Sequence, residues 1–196
     1  MLLKLDLSKA FDSLSWKYIE NFDASWVRWI MSLILSSFFS ILINGIPSST
    51  FHPSRGIRQG DPLSPFLFFI MAEGLGRSIK HAHQSLYLKG LSFHNSPTFT
   101  HHQFVDDNML FGHPSVQEAR QLKTLLTDFS KASGASINHS KSQIFFLHTP
   151  SAIQSAILRI VRFSSAKLPS SYLRAPLIAS GLKHSSWRIL LDNLEA

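Results

Sequence analysis

The alternation of apolar and polar positions divides the chain into short strands and longer helices. Leu2 to Leu7 is apolar-rich and broken by Lys4 and Asp6, which predicts a buried strand carrying a polar group to a site near its C-terminal end. Ser8 stands where a helix N-cap belongs, with Phe11, Leu14 and Tyr18 following at helical spacing as an inward face. Asp23 predicts a second cap, for a helix from Ala24 to about Ser36 that turns Val27, Ile30, Met31 and Ile34 inward. Trp26, Trp29 and the pair Phe38 and Phe39 fit the same periodicities as core residues rather than as platforms for stacked bases. Phe38 to Ile43, Asn44-Gly45 and the stretch from Ser49 to His52 predict a hairpin, because Asn-Gly favours a type I′ turn.

Ser54 to Ser64 is rich in Arg, Gly and Pro and reads as a loop. Ser64-Pro65 then serves as N-cap and first residue of an apolar, largely buried helix reaching about His81. Leu86 to Phe93 and Thr98 to Phe104 read as extended, Asp106-Asp107 as the tight turn of a hairpin, and Met109 to Phe111 as its returning strand. Ser115 and Glu118 predict a capping box for a helix with Val116, Leu122, Leu125, Leu126 and Phe129 inward and Gly134 at its end. A strand from Gln143 to Leu147 follows, then a helix through Ile153, Ile157 and Val161. Lys167 to Pro176 reads as irregular, and Trp187 to Leu194 as an amphipathic helix. There is no internal repeat or linker, so the elements predict one α+β body with a mostly antiparallel sheet backed by helices.

Composition narrows the function classes. At 196 residues the chain can bury one sizeable core, which argues against two full domains. Nineteen Lys and Arg against twelve Asp and Glu give a formal charge of +7, a balance that suits a polyanionic partner such as nucleic acid. The absence of cysteine excludes a disulfide framework, a thiolate zinc site and a cysteine nucleophile. Apolar runs such as Phe66 to Ala72 fall far short of the roughly 20 residues of a membrane span, so no membrane partner is expected.

The candidate chemistry lies in Asp6 and in Asp106-Asp107. If their strands are neighbours, the carboxylates converge, and a cluster of this kind holds hard cations such as Mg²⁺ through oxygen ligands. Two ions about 3.5 to 4 Å apart can activate an attacking hydroxyl and neutralise a leaving oxygen in phosphoryl transfer. The same residues also suit ordinary turn chemistry and a satisfied buried polar group.

Three stretches resemble, in order, the motifs of reverse transcriptases: Lys4-Leu-Asp-Leu-Ser-Lys-Ala-Phe-Asp12, Arg58-Gln-Gly-Asp-Pro-Leu-Ser-Pro65 and Phe104-Val-Asp-Asp107. Ser133-Gly134, Ile137-Asn138 and Lys141-Ser142 resemble the next motif, and Tyr172-Leu173 before Ala175-Pro176-Leu177 the primer grip. The resemblance is to plant LINE-type, non-long-terminal-repeat retrotransposon proteins and covers nearly the whole chain. It implies a reverse transcriptase palm over 1–149, with the end of the palm and the start of a thumb over 150–196. Fingers and most of the thumb are expected to be missing, Arg174 stands where a glycine is expected, and Val105 replaces a usual alanine.

That resemblance implies RNA-directed DNA polymerase activity, weak or absent in this piece alone, on an RNA template and DNA primer with deoxynucleoside triphosphates. Asp6, Asp106 and the carbonyl of Leu7 would bind two Mg²⁺ ions, with Asp107 beside them. Phe11 matches an aromatic gate against a 2′-hydroxyl, or is a core ring. Gln59 and Gly60 match a loop on the incoming nucleotide and template, or a simple turn. Lys141 matches a lysine near the leaving pyrophosphate, or is merely solvated. Arg55 and Arg58 could reach phosphates, and Tyr172 and Leu173 the primer strand. A longer retrotransposon protein would supply missing parts, and a nuclear location follows from what LINE elements do. The alternative is a non-catalytic nucleic-acid-binding or vestigial remnant.

Overall fold

The computed structural model describes residues 1–92, 97–168, 170–173 and 175–177. The helix expected over Trp187 to Leu194 and the position of Arg174 lie outside them. Strand β1 (Leu2–Ser8) is the axis of the main sheet. It pairs antiparallel with β5 (Asp107–Phe111), β6 (Ser136–Ile137) and β7 (Gln143–Phe145). Outside these, β4 (His101–Phe104) joins β5 antiparallel and β8 (Ser164–Ala166) joins β7 in parallel. The sheet is thus antiparallel apart from one edge pair, as the sequence predicts.

Side chains of directly opposed residues share a face, and the register sorts β1 into two sets. Leu3 and Leu5, with Leu110 and Ile144, enter the large core. That core is covered by α4 (Ser64–Gln84), α5 (Val116–Ser133) and α6 (Ser151–Val161). On the opposite face, Leu2, Met109 and Phe145 form a smaller cluster with Tyr172. Asp6, Asp107 and Lys4 belong to this second face by register.

Local sequence explains several elements directly. Asp23 Oδ1 accepts from the Ser25 and Trp26 amides and starts α3 (Ala24–Leu35). Asn44 and Gly45 take φ of 50° and 82° between β2 (Leu42–Ile43) and β3 (Ile46–Pro47), the left-handed pair a type I′ hairpin needs. Gly134 ends α5, and α6 forms where its apolar spacing predicts.

Other expectations are corrected. Ser8 caps no helix, because it is paired with Ser136 in the sheet; two four-residue helices follow instead, α1 (Ala10–Ser13) and α2 (Trp16–Ile19). Ser64 is buried inside α4, whose start is held by Asp61 accepting from the Leu63 amide at 2.8 Å. The capping box is half made: Ser115 Oγ accepts from Glu118 N–H, but the buried Glu118 carboxylate turns to the amides of Lys89 and His113. Trp29 and Phe38, expected in the core, are 77% and 64% exposed. Part of the stretch expected to be irregular forms a hairpin of β9 (Ser170–Tyr172) and β10 (Ala175–Leu177).

Candidate functional site

Antiparallel register makes Asp6 and Asp107 direct partners, the last pair of the β1–β5 ladder. Residues so opposed have Cβ atoms about 4.5 to 5.5 Å apart, and like charges there are destabilising unless something neutralises them. Both aspartates are half-buried, whereas Asp106 is exposed. The sequence reading put Asp106 and Asp107 together in the turn. Because Phe104 pairs with Asp107, the turn residues are Val105 and Asp106, and Asp107 begins the strand. Val105 takes a φ of 52°, an outlier for a β-branched side chain.

Buried polar residues fix the backbone of these acids, and sequence reasoning assigned them no role in doing so. Asn108, 1% exposed, donates from Nδ2 to the Asp106 carbonyl at 2.9 Å. Its Oδ1 accepts from Gln103 Nε2 at 3.0 Å, and Gln103 also donates to the Ala72 carbonyl of α4 at 3.1 Å. The turn is thereby tied to the helix beneath the sheet. Asp6 is held on both sides: its amide donates to Ser142 Oγ at 3.2 Å, and its carbonyl accepts from Asn138 N–H at 2.9 Å. The Asn138 side chain also accepts from the amides of Ser140 and Lys141, which shapes the loop that presents Lys141 to solvent. Leu7, one residue on, is buried and paired with Ile137.

A second group of expected residues lies on the loop before α4. Arg55, Arg58 and Gln59 line a cleft of about 630 Å³ with Asp12, Phe39 and the end of α3. Gly60 is exposed and is not among the lining residues. The Arg58 guanidinium sits 5.1 Å from the centre of the Phe39 ring, a cation–π contact. The loop is pinned to the segment after β1. Gly56 N–H donates to Leu14 O at 2.8 Å, Ile57 N–H to Phe11 O at 2.8 Å, and Trp16 Nε1 to Gly56 O at 2.7 Å. Phe11 itself is half-buried and stacked on Phe68, centroids 5.0 Å apart, so its ring is fixed.

The fold therefore brings Asp6, Asp107 and the Lys141 loop together and gathers Arg55, Arg58 and Gln59 in a separate cleft. A carboxylate set suits a hard divalent cation. Among the described residues, however, no group of three His, Asp or Glu side chains is arranged to hold a metal ion. Tyr172 is buried, and its hydroxyl donates to the Asp107 carbonyl at 3.1 Å; Leu173 beside it is exposed. Burial, with the Asp107 charge adding to it, pushes the Tyr172 phenol up to about 12. Among the described residues no helix is long and apolar enough to cross a membrane.

Known proteins resemble this chain in sequence and in fold. The sequence family described as reverse transcriptase (RNA-dependent DNA polymerase) matches residues 1–189. An uncharacterized mitochondrial protein of Arabidopsis thaliana is 35% identical over 108 residues, 54% of this chain and 87% of its own length. The Pol polyprotein of the type-2 retrotransposable element R2DM of Drosophila melanogaster is 36% identical over 84 residues, 40% of this chain and 8% of the polyprotein. That of the type-1 element R2 of Popillia japonica is 27% identical over 146 residues, 71% of this chain and 23% of the polyprotein. Telomerase from Candida albicans, solved with a fragment of telomeric RNA, superposes with a TM-score of 0.56 at 16% identity, covering 76% of this chain and 27% of that one.

Proposed function

From the premise that this chain belongs to the reverse transcriptase (RNA-dependent DNA polymerase) family, we propose that it carries the metal-binding centre of template-directed nucleotidyl transfer. The observation that carries this reading is the register pairing of Asp6 with Asp107, with Asp106 in the adjoining turn. Two like charges opposed at the end of a ladder are a local cost that a bound cation would turn into an asset. In this reading Asp6, Asp106 and the Leu7 carbonyl hold two Mg²⁺ ions, with Asp107 beside them. When bound, the ions would activate the primer hydroxyl and neutralise the leaving oxygen.

The remaining residues position the substrates. Phe11, fixed by its stack on Phe68, excludes a ribose 2′-hydroxyl; Arg58, Gln59 and Gly60 meet the deoxynucleoside triphosphate and template; and Lys141 faces the pyrophosphate. Arg55 and Leu173 contact the nucleic acid. Residues 1–149 form the palm core, and 150–196 lead towards a thumb. The chain spans only a small part of the Pol polyproteins it matches, so the rest of such a protein supplies further grip on primer and template. An RNA template is supported by the family and by the RNA-bound telomerase with the same fold.

Primer extension on an RNA template, with Mg²⁺ and all four deoxynucleotides, tests this against a variant carrying Asp106→Asn and Asp107→Asn. Incorporation by the parent alone supports it. No incorporation by folded parent protein sinks the autonomous-polymerase reading. The charge of +7 favours one alternative, nucleic-acid binding without catalysis. Binding that weakens steeply with salt in both proteins, without incorporation, would support that alternative.

A further inference from the structure

Asp107 stands where two ladders end, as the last partner of both Asp6 and Phe104. Ladder ends open most easily, so an added tether there has disproportionate effect. Tyr172 supplies one from 65 residues away: its hydroxyl donates to the Asp107 carbonyl at 3.1 Å. The ring is 7% exposed and packs with Leu2, Met109 and Phe145, and the His102 ring meets it edge-on at 5.9 Å. Neither the ring nor the hydroxyl is free to meet a nucleic-acid strand.

We propose that Tyr172 is a positioning residue for Asp107: its hydroxyl ties the β9–β10 hairpin to the backbone of the carboxylate pair and holds the two acids opposed at the ladder's end, ready for a cation. The inference rests on the reading of the acids as a metal site. It replaces the expected role of Tyr172 as a direct contact to the primer and leaves that role to Leu173 at the turn. A phenol, with an ordinary pKa of about 10, is protonated and therefore a donor throughout the physiological range.

Three measurements on the full chain test it, with Mn²⁺ as a paramagnetic probe in place of Mg²⁺. These are Mn²⁺ affinity, amide hydrogen exchange over residues 104–108, and affinity for an RNA–DNA primer-template. Tyr172→Phe keeps the ring that fills the apolar cluster and removes only the donor. The expected result is a slightly lowered melting temperature, unchanged primer-template affinity, faster exchange at the turn, and an Mn²⁺ dissociation constant raised about three- to ten-fold, the scale of one lost hydrogen bond. If Asp6→Asn weakens Mn²⁺ binding and Tyr172→Phe does not, the proposal is overturned. It is overturned equally if Tyr172→Phe weakens primer-template binding and spares Mn²⁺. If Asp6→Asn also leaves Mn²⁺ binding unchanged, the metal reading fails instead. Exchange then still decides the tether, which unaltered exchange in Tyr172→Phe would rule out.

Discussion

Replacing Gly56 by alanine should loosen the loop that carries Arg55, Arg58 and Gln59. Gly56 has a φ of 81°, and a Cβ there would lie 2.6 Å from the Asp12 carbonyl oxygen and 2.9 Å from its carbon. Both are backbone atoms that cannot rotate away. The left-handed conformation costs a residue with a Cβ about 1–2 kcal/mol. Moving the loop aside endangers three hydrogen bonds, from Gly56 to Leu14, Ile57 to Phe11 and Trp16 to Gly56, each contributing about 1 kcal/mol. The sum, about 4–5 kcal/mol, is a large fraction of the roughly 5–15 kcal/mol that holds a domain together. Gly60→Ala is the control: φ is 87°, but nothing lies within 4 Å of the added Cβ, so only the conformational cost applies. Urea unfolding should therefore separate the two variants by about 3 kcal/mol, and trypsin should cut after Arg55 and Arg58 faster in Gly56→Ala. Equal losses in the two variants, or unchanged cleavage, would refute the argument that this glycine pins the loop.

Asn108→Ala should lower stability by about 1–3 kcal/mol, because the Asp106 carbonyl loses its donor and Gln103 one of its two acceptors; thermal melting measures it, and a neutral result would mean water replaces the side chain. Tyr172 should titrate late in an ultraviolet tyrosinate titration. Its folded pKa of about 12 is raised above the unfolded value of about 10, so the associated stability is complete below about pH 10 and lost as pH rises through 12. Tyr18, also raised by burial, titrates late as well, and Tyr172→Phe should remove one late step and leave the other.

Elements with local causes were legible in the sequence. The Asp23 cap, the Asn44-Gly45 turn and the helix between Ser115 and Gly134 need only neighbouring residues to form. Ser8 was misread because pairing with Ser136, far along the chain, overrides its preference for a cap. Periodicity in α3 told which way Ile30 points, but neither it nor the pattern after the helix told that Trp29 and Phe38 would stay exposed. In the site, the acids and basic loop stand out by residue type. Asn108, Gln103 and Ser142 do not, since their work is done by contacts to Asp106, Ala72 and Asp6 that only the folded chain creates. The turn shifted by one residue for a related reason: register, not turn propensity, decides which aspartate joins the strand.

The central place of β1 also bears on how the molecule reaches its native state. Its partners in β5, β6 and β7 all lie about a hundred residues or more further along. A chain emerging in order must therefore keep Leu2, Leu3 and Leu5 unpaired until β5 has been synthesised, and Leu7 until β6 has. Contacts of such long sequence separation slow folding, and an apolar strand waiting for its neighbours is a target for association with other chains. The pairing of Asp6 with Asp107 therefore waits on β5, and acquisition of the carboxylate pair reports long-range closure of the sheet rather than the formation of local structure.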